Sequence, residues 1–418
     1  MAMNTQFNDM LNEVLAYDLL EEEYKKQCWL LENANWKKDF DGSKIIIPFT
    51  TASPSSVRMG GLVGKTKINQ GKFARGSLDQ IHEAYGALLF WEKELKLHGK
   101  ISKANFMRLL PDQLEELMRF MKQCVSISVL NAGELLQATG AGDAQGVVKV
   151  SNTERVQLNQ ALTIVGNSAT VLGYVDEIDK NTDELKFRTT LDGNTALNLS
   201  AAGAEVVAGS KIYLENGDAE NFTSLLDQLL PAGVNGASAT IFGFTKKASP
   251  FTQAVAIDGS GATGATLLAT IFDALVRGRQ KGATPKVFLG SYKHLGAILK
   301  ATENIAGAFR HQGERIDYAG YSVVEIGDVT GNKVKFVAIR EHTDTAIQGI
   351  DPKYLDFHTA PASMFEVIES PDGLKYYTER DDADGSNKGY SYITDIRFAG
   401  EFVYTKPHTA VVIYDLDI

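Results

Sequence analysis

The spacing of apolar residues predicts two long amphipathic helices in the first third of the chain. Over 5–34 apolar residues recur at helical spacing, with acidic residues at 21–23 on the polar side. A longer helix of about six turns is predicted to follow, and Pro111 and Asp112 suit its first turn. One face of this helix carries Leu114, Leu117, Met118, Met121, Cys124, Val125, Val129 and Ala132, and Phe120, Ile127 and Leu130 form a second apolar face. A helix that is apolar on two faces is expected to be a spine on which other layers pack.

Residues 44–78 lie between these two helices and have a different pattern. A short strand is predicted at 44–50, and a stretch rich in Ser, Thr and Gly follows it. Because few apolar residues come after Phe49, this stretch cannot bury a core of its own. We therefore predict an extended excursion from the folded body, from which the chain returns through 85–91.

Residues 139–232 read as a separate module rich in β structure, entered through a glycine-rich stretch at 139–146. The predicted strands are 169–175, 185–190, 195–199 and 211–214. Residues 179–183 between the first two have the composition of a hairpin turn. Several short strands at this spacing predict a small barrel or sandwich that is inserted between helical parts.

Beyond residue 240 the pattern becomes α/β and then β. The predicted elements, in order, are a strand near 253–257, a helix near 264–279, a strand at 286–289, a helix that opens at Ser291, hairpin strands at 321–326 and 334–339, and strands at 364–369, 374–379, 390–404 and 409–414. With the helices above, this order indicates an α+β protein.

Composition narrows the class of protein. The chain has 418 residues, of which 44% are hydrophobic and 22% charged, which is ordinary for a globular protein of two or three compact units. A formal net charge of −10 argues against nucleic-acid binding through the whole surface. Cys28 and Cys124 show no metal-site or disulfide spacing. We expect no signal peptide and no membrane span, because no apolar run approaches the roughly 18 to 20 residues that a span needs.

The charge of 44–78 is opposite to that of the whole chain. This segment carries Lys44, Arg58, Lys65, Lys67, Lys72 and Arg75, and no acid lies between Asp41 and Asp79. Three interpretations are open: a solvated loop, contact with nucleic acid, or a clasp that reaches over a neighbouring subunit. Phe49 and Phe73 are the only groups that could stack on bases. We favour the clasp, with Arg58, Lys65, Lys67, Lys72 and Arg75 as intersubunit contact residues, because complementary fields fix the register between copies.

The strongest enzymatic motif is the GxGxxG pattern at 259–264, which follows a predicted strand and opens a predicted helix. A dinucleotide site needs an acid at the end of the next strand, but the first acid after 286–289 is Glu303. The strands that follow also look antiparallel. A flexible loop before a helix is therefore favoured, and a nucleotide-binding enzyme is kept as an alternative.

The other chemical motifs are incomplete. A P-loop ending at Gly64, Lys65 and Thr66 would need glycine where Met59 stands. The seven histidines show no metal-binding spacing, the acidic turn at 381–385 lacks the closing glutamate of a calcium loop, and no GxSxG is present. We therefore predict no catalytic, cofactor-binding or metal-binding residues, and we expect that the protein is not an enzyme.

The order of these parts resembles the major capsid proteins of tailed bacteriophages with the Hong Kong 97-type fold. An acidic arm, a basic loop ending near Tyr85, a long helix, a β module and long closing strands near 406–413 carry the resemblance. It implies the following segments: an N-terminal arm at 1–43, an E-loop at 44–86, the spine helix (about 103–137) and peripheral domain at 87–138, an inserted β domain at 139–232, an axial domain at 233–350 and return strands of the peripheral domain at 351–418.

The resemblance also implies a function. The chain would assemble into the hexamers and pentamers of an icosahedral shell that encloses phage DNA without sequence-specific contacts. The chain would be part of the virion, which is assembled in the cytoplasm of a host bacterium. Scaffolding, portal and decoration proteins would be possible further partners. An encapsulin-like nanocompartment shell of the same fold is the closest alternative, and a phage tail or baseplate component is another.

Overall fold

The structure is a computed structural model, and a defined part of the chain is described. The described residues are 28–42, 44–52, 72–79, 81–91, 96–97, 100–101, 103–153, 155–191, 193–201, 205–217, 222–246, 250–304, 322–327, 333–360, 365–368, 376–380 and 390–416.

Helices and strands are numbered in chain order within these residues. The α-helices are α1 (Trp29–Asn33), α2 (Lys103–Asn131), α3 (Leu225–Leu229), α4 (Leu267–Gln280) and α5 (Tyr292–Asn304). The strands are β1 (Asn35–Lys37), β2 (Ile45–Ala52), β3 (Lys72–Leu78), β4 (His82–Trp91), β5 (Lys96–Leu97), β6 (Lys100–Ile101), β7 (Glu134–Gln137), β8 (Val147–Lys149), β9 (Ala161–Val165), β10 (Thr170–Asp179), β11 (Glu184–Arg188), β12 (Lys211–Leu214), β13 (Thr240–Ile241), β14 (Phe244–Thr245), β15 (Val255–Asp258), β16 (Val287–Gly290), β17 (Ser322–Gly327), β18 (Lys333–Ala338), β19 (Ile347–Ile350), β20 (Leu355–His358), β21 (Phe365–Val367), β22 (Tyr377–Arg380), β23 (Tyr390–Tyr404) and β24 (Val411–Tyr414). The predicted α+β class is confirmed.

Helix α2 is the predicted spine, but it ends earlier than expected. Ala132 and Gly133 have positive φ angles of 52° and 77°, and the Gly133 N–H donates to the Ile127 carbonyl at 3.3 Å. This left-handed ending stops the helix at Asn131, and the residues predicted to continue it form β7 instead. Pro111 lies inside the helix rather than in its first turn.

Strand β23 organises the first sheet. It pairs with β4 along one edge and with β20, β21 and β22 along the other, and β1 joins in parallel to β20. Helices α1, α2 and α3 pack on this sheet around the main core, whose largest side chains are Phe90, Phe357, Phe398, Phe402 and Tyr404. Of the helix predicted over 5–34, the described residues hold α1, and the rest lies outside them.

The inserted module is a closed antiparallel barrel. Its six strands follow the order β7-β12-β9-β10-β11-β8. A bridge between Ala138 and Val150 joins the two ends of that order, and the Thr139 N–H donates to the Lys149 carbonyl at 2.8 Å. Closure removes the exposed sheet edges that would otherwise attract other chains. The barrel begins at Glu134, earlier than the predicted start at 139.

The third sheet is mixed and separates two cores. Its order is β15-β24-β19-β16-β18-β17, with β15 parallel to β24 and β16 parallel to β18. The expected antiparallel pairing holds for β17 with β18 and for β19 with β16 and β24, but not for β16 with β18. Leu289 and Val412 face the main core, whereas Phe288 and Ile413 face a second core under α4 and α5. Because successive side chains of a strand alternate between faces, both faces of this sheet are apolar.

Several strand predictions differ from the structure. Residues 195–199 contribute only one bridge, between Ala196 and Arg188, and no strand. Strands β7, β8 and β9 were not expected, although they complete the barrel. The closing strand β24 lies in the mixed sheet and not in the β23 sheet. The hairpin of β10 and β11 is confirmed, with Asp183 at a φ of 54° in its turn.

Candidate intersubunit surfaces

The two ends of the basic segment 44–78 form the strands β2 and β3, which pair as an antiparallel hairpin. Its register pairs Ile47 with Gly76 and Pro48 with Arg75. Side chains alternate across the hairpin, so Ile47 and Phe49 are buried while Ile46 is 56% exposed. The hairpin therefore has one face toward the body and one face free to meet another surface.

The root of the hairpin is held on the body by a small apolar cluster, here called the hairpin root. It consists of Ile47, Phe49, Leu78, Phe244 and Val403, with Ile45, Ile81 and Phe242 packed against it. The Ser77 N–H also donates to the Phe242 carbonyl at 2.8 Å. Phe242 and Gly243 form the two-residue turn between β13 and β14, with φ angles of 47° and 67° that this type of turn requires. The sequence analysis did not predict that this turn anchors the hairpin, although the sequence Phe242, Gly243, Phe244 places two aromatic residues around a glycine.

The predicted contact residues fall at different places. Arg58, Lys65 and Lys67 lie outside the described residues, and Lys72 is the first residue of β3. Arg75 is exposed in β3.

Lys44 stands before β2 and pairs with Asp79 at 3.0 Å, with both side chains more than half exposed. The hydrogen bond from Lys44 lowers the pKa of the Asp79 carboxyl. One of the six basic residues is thus already paired within the chain.

A cluster of carboxylates lies on the exposed side of the β4–β23 sheet, and it is called the acidic face. Arg397 contacts Glu83 of β4 at 3.0 Å and also binds Glu366 of β21. Asp395 lies on the same side of β23, and burial raises the pKa of its carboxyl. Tyr85 is 61% exposed beside them and donates its hydroxyl hydrogen bond to Glu83. Three carboxylates against one guanidinium leave this face negative.

A buried ion pair lies where the hairpin joins the sheet. His82, the first residue of β4, binds Glu401 of β23 through Nδ1 and Oε2. The Glu401 side chain is 0% exposed, and its other oxygen accepts a hydrogen bond from the Thr223 N–H at 2.9 Å. Both carboxylate oxygens therefore have donors, as a buried charge requires.

An open groove of about 500 Å³ runs between β4 and α2. Exposed Leu89 and Tyr85 lie on its strand side, and Leu117, Phe120 and Cys124 lie on its helix side. These helix residues recur at helical spacing, which the sequence analysis assigned to two apolar faces of the spine. The polar side chains Gln113, Glu116 and Gln157 also line the groove, so its surface is mixed.

The glycine motif at 259–264 is a turn closed by its own hydrogen bonds. The Ala262 N–H donates to the Gly259 carbonyl at 2.7 Å, and the Leu267 N–H donates to the Thr263 carbonyl at 2.9 Å. Helix α4 begins at Leu267, later than predicted. Within the motif, the Ala262 N–H and the Thr263 N–H, which donates to the Thr266 hydroxyl at 2.8 Å, therefore have partners inside the turn and do not point at a pyrophosphate.

The described histidines other than His82 serve the folded structure. His294 donates through Nε2 to the Asp344 carbonyl at 2.9 Å, and His342 donates through Nδ1 to the Thr343 carbonyl at 2.9 Å. In the part of the chain that is described, no group of three metal-ligating side chains occurs, and no helix is long and apolar enough to cross a membrane. The acidic turn at 381–385 lies outside the described residues.

Comparison with known proteins gives matches among solved structures. No protein-family model and no curated protein sequence matches the chain. The capsid asymmetric unit of cyanophage A-1(L) has 12% sequence identity and a TM-score of 0.47, and 95% of this chain and 92% of that chain are covered. The procapsid of satellite phage P4, which includes the size determination protein, has 10% identity, a TM-score of 0.39, and coverage of 99% and 97%. The holo-SrpI encapsulin complex from Synechococcus elongatus PCC 7942 has 8% identity, a TM-score of 0.37, and coverage of 93% and 87%.

Proposed function

We propose that this chain is the major capsid protein of a tailed bacteriophage, which assembles into the hexamers and pentamers of an icosahedral shell around phage DNA. The observation that carries the proposal is that the subunit has an acidic face, whereas the segment 44–78, whose two ends form the β2–β3 hairpin, is basic in sequence. A contact between two different surfaces is heterologous, and such contacts generate rings when the rotation between copies closes.

The charges of the two surfaces favour contact between copies. The segment 44–78 carries six basic residues, and among the described residues the acidic face combines Glu83, Glu366 and Asp395 with Arg397. Complementary fields of this kind select the partner and fix its register more than they add affinity. In this proposal Arg58, Lys65, Lys67, Lys72 and Arg75 lie across the acidic face of the neighbouring subunit.

The element order supports the same function. The described elements follow one another in the order expected of a capsid protein: the β2–β3 hairpin, the long helix α2, the barrel, the mixed sheet with two helices, and the long strand β23. The closed glycine turn favours a structural role over a nucleotide-dependent enzyme. A closed lattice repeats each modest contact many times, so no single contact has to be strong.

The proposal includes the surroundings of the subunit. The shell would be part of the virion, assembled in the cytoplasm of the host bacterium, with scaffolding, portal and decoration proteins as further partners. Its net charge of −10 disfavours dense contact with phosphates, so the DNA would be enclosed without sequence-specific binding.

Negative-stain electron microscopy of the purified full-length protein tests the proposal. We expect closed spherical particles of uniform diameter. Tubes would favour a tail component, and particles that enclose a protein cargo instead of nucleic acid would favour a nanocompartment shell. A protein that stays monomeric under all assembly conditions would contradict a shell function.

A further inference from the structure

In the ion pair of His82 and Glu401, a fully buried carboxylate meets a partly exposed histidine beside the hairpin. The Glu401 carboxylate is 0% exposed, and the His82 side chain is 22% exposed. A buried carboxylate is costly unless a positive charge and hydrogen-bond donors face it. Here the donors are the Thr223 N–H and His82, and His82 also supplies the positive charge when it is protonated.

The pair connects the hairpin root to the central strand of the sheet. His82 comes directly after Ile81, which packs against the hairpin root. Glu401 is two residues before Val403 in β23, and Val403 is a member of the hairpin root. Residues two apart in a strand share a face, so the polar pair and the apolar cluster are neighbours on β23.

The neighbouring charged groups of β1 and β20 bind carboxylates of their own, and the buried Nε2 of His358 has no hydrogen-bond partner among the described residues. On β20, His358 is the cross-strand neighbour of Glu401, and it binds Asp39 at 2.9 Å. Lys37 of β1 binds Asp356 of β20 at 2.6 Å. On the segment before α3, the ring of Phe222 lies 6.0 Å from the His82 ring, and the Phe222 N–H donates to the Ser128 hydroxyl of α2 at 3.2 Å. Among these described groups, the Glu401 carboxylate makes its ion pair with His82.

We propose that the pair of His82 and Glu401 is a pH-sensitive latch that holds the stem of the basic hairpin on β23. The latch is closed while a protonated imidazole faces the carboxylate. When the pH rises through the range in which histidine loses its proton, Glu401 stays buried without a positive partner, and the stem opens to hydrate it. The latch itself does not require the proposed function. If the chain is a capsid protein, the latch would let pH control the part of the subunit that contacts its neighbour.

Hydrogen exchange of the backbone amides of β2 and β3 tests the latch in the purified full-length chain. Exchange is measured at several pH values between 5.5 and 8.5, and each variant is compared with the wild type at the same pH. This comparison cancels the intrinsic pH dependence of amide exchange. We expect protection of the wild-type hairpin to fall about tenfold across this range, since one lost charge partner is worth at least a factor of that order.

Two variants separate the latch from general destabilisation. Glu401→Gln keeps an oxygen for the Thr223 N–H and needs no positive partner, so its hairpin protection should be nearly independent of pH. His294→Asn is the control, because His294 binds the Asp344 carbonyl in the mixed-sheet region, away from the hairpin, and should keep the wild-type pH dependence.

A flat wild-type profile would overturn the latch, and so would an unchanged slope in Glu401→Gln. Particle formation is scored separately by electron microscopy. Shells without a pH response would reject the latch alone, whereas a pH response in a chain that never assembles would reject the proposed function alone.

Discussion

Phe49 of β2 stacks on Phe244 of β14, with ring centroids 5.5 Å apart and an interplanar angle of 19°. This contact joins the basic hairpin to a turn far along the chain, and it is the aromatic part of the hairpin root. Stacked aromatic pairs add to the free energy of burial, and they also fix the relative orientation of the two segments. The direction in which the hairpin leaves the body therefore depends on this pair.

Phe244→Ala should release the hairpin while the rest of the fold persists. Removing a buried phenylalanine lowers the free energy of unfolding by about 3 kcal/mol. Here the loss destabilises only the hairpin root, a small cluster at the edge of the body. Hydrogen exchange should accelerate in β2 and β3 but not in β16 or β23. Phe272→Ala on α4 is the control, because that ring is 37% exposed and its loss should cost less than about 1 kcal/mol. Equal exchange of the hairpin in both variants would contradict the anchoring role.

Arg155→Met should loosen the barrel from the mixed sheet. The buried Arg155 guanidinium donates to the carbonyls of Leu135 (3.3 Å), Arg340 (2.8 Å) and His342 (3.1 Å), so it bridges the barrel and the loop after β18. Its loss leaves carbonyls without donors and should cost about 2–4 kcal/mol. Urea unfolding with hydrogen-exchange readout should show β9 and β10 opening first. Arg277→Met, an exposed change on α4, should leave the unfolding midpoint within error of the wild type.

The buried histidines of the mixed-sheet region should make the fold sensitive to acid. Burial lowers the pKa of His294 from 6.5 to about 4 and that of His342 from 6.5 to about 3. Because the unfolded chain binds these protons first, stability is complete above pH 6.5 and falls as the pH drops from 6.5 toward 4. Each histidine contributes a slope of up to about 1.4 kcal/mol per pH unit.

Urea unfolding between pH 4 and pH 8 measures this slope. His294→Asn should reduce it by about half, even if the variant is less stable at every pH. An unchanged slope would show that other groups dominate the acid response.

Gln348→Met should stabilise the protein. The Gln348 side chain in β19 is 0% exposed, and neither atom of its amide has a hydrogen-bond partner among the described residues. Its register partners Leu289 and Val412 belong to the main core, so a thioether of similar size fits the surroundings better than an amide. Thermal unfolding should show a gain of about 1–2 kcal/mol, and a loss would mean that the amide has a partner in solution.

Arg75→Glu should slow shell assembly without changing the fold. Arg75 is exposed on the outer side of β3, and a reversed charge would repel the acidic face of a neighbouring copy. Light scattering should show assembly slower by about tenfold at low salt, with a smaller difference at high salt because exposed charges are screened. Lys149→Glu on the barrel is the control, and an equal delay in both variants would indicate a net-charge effect alone.

The sequence predicted elements better than it predicted their endings and partners. Strands β12 and β23 match their predicted bounds because alternating or continuous apolar runs decide them locally. The end of α2 was misjudged because Ala132 fits the apolar stripe, while the left-handed backbone at Ala132 and Gly133 is what stops the helix. The placement of β24 in the mixed sheet depends on pairing between distant segments, which no local pattern encodes.

For the candidate surfaces too, local features could be predicted from the sequence, whereas contacts between distant segments could not. The basic composition of 44–78 could be read directly, but Glu83, Glu366 and Asp395 come together only through the pairing of β4, β23 and β21. His82 and Glu401 are far apart in sequence, and neither belongs to a recognisable motif. Contacts of this kind become visible only when the strand register is known.

A cryo-electron-microscopy reconstruction of the assembled particle tests the central claim most directly. Our account predicts a closed icosahedral shell in which residues 44–78 of each subunit lie across the acidic face of the next subunit, near Glu83 and Glu366. A particle in which this segment contacts only its own subunit, or in which the acidic face is open to solvent, would contradict the account.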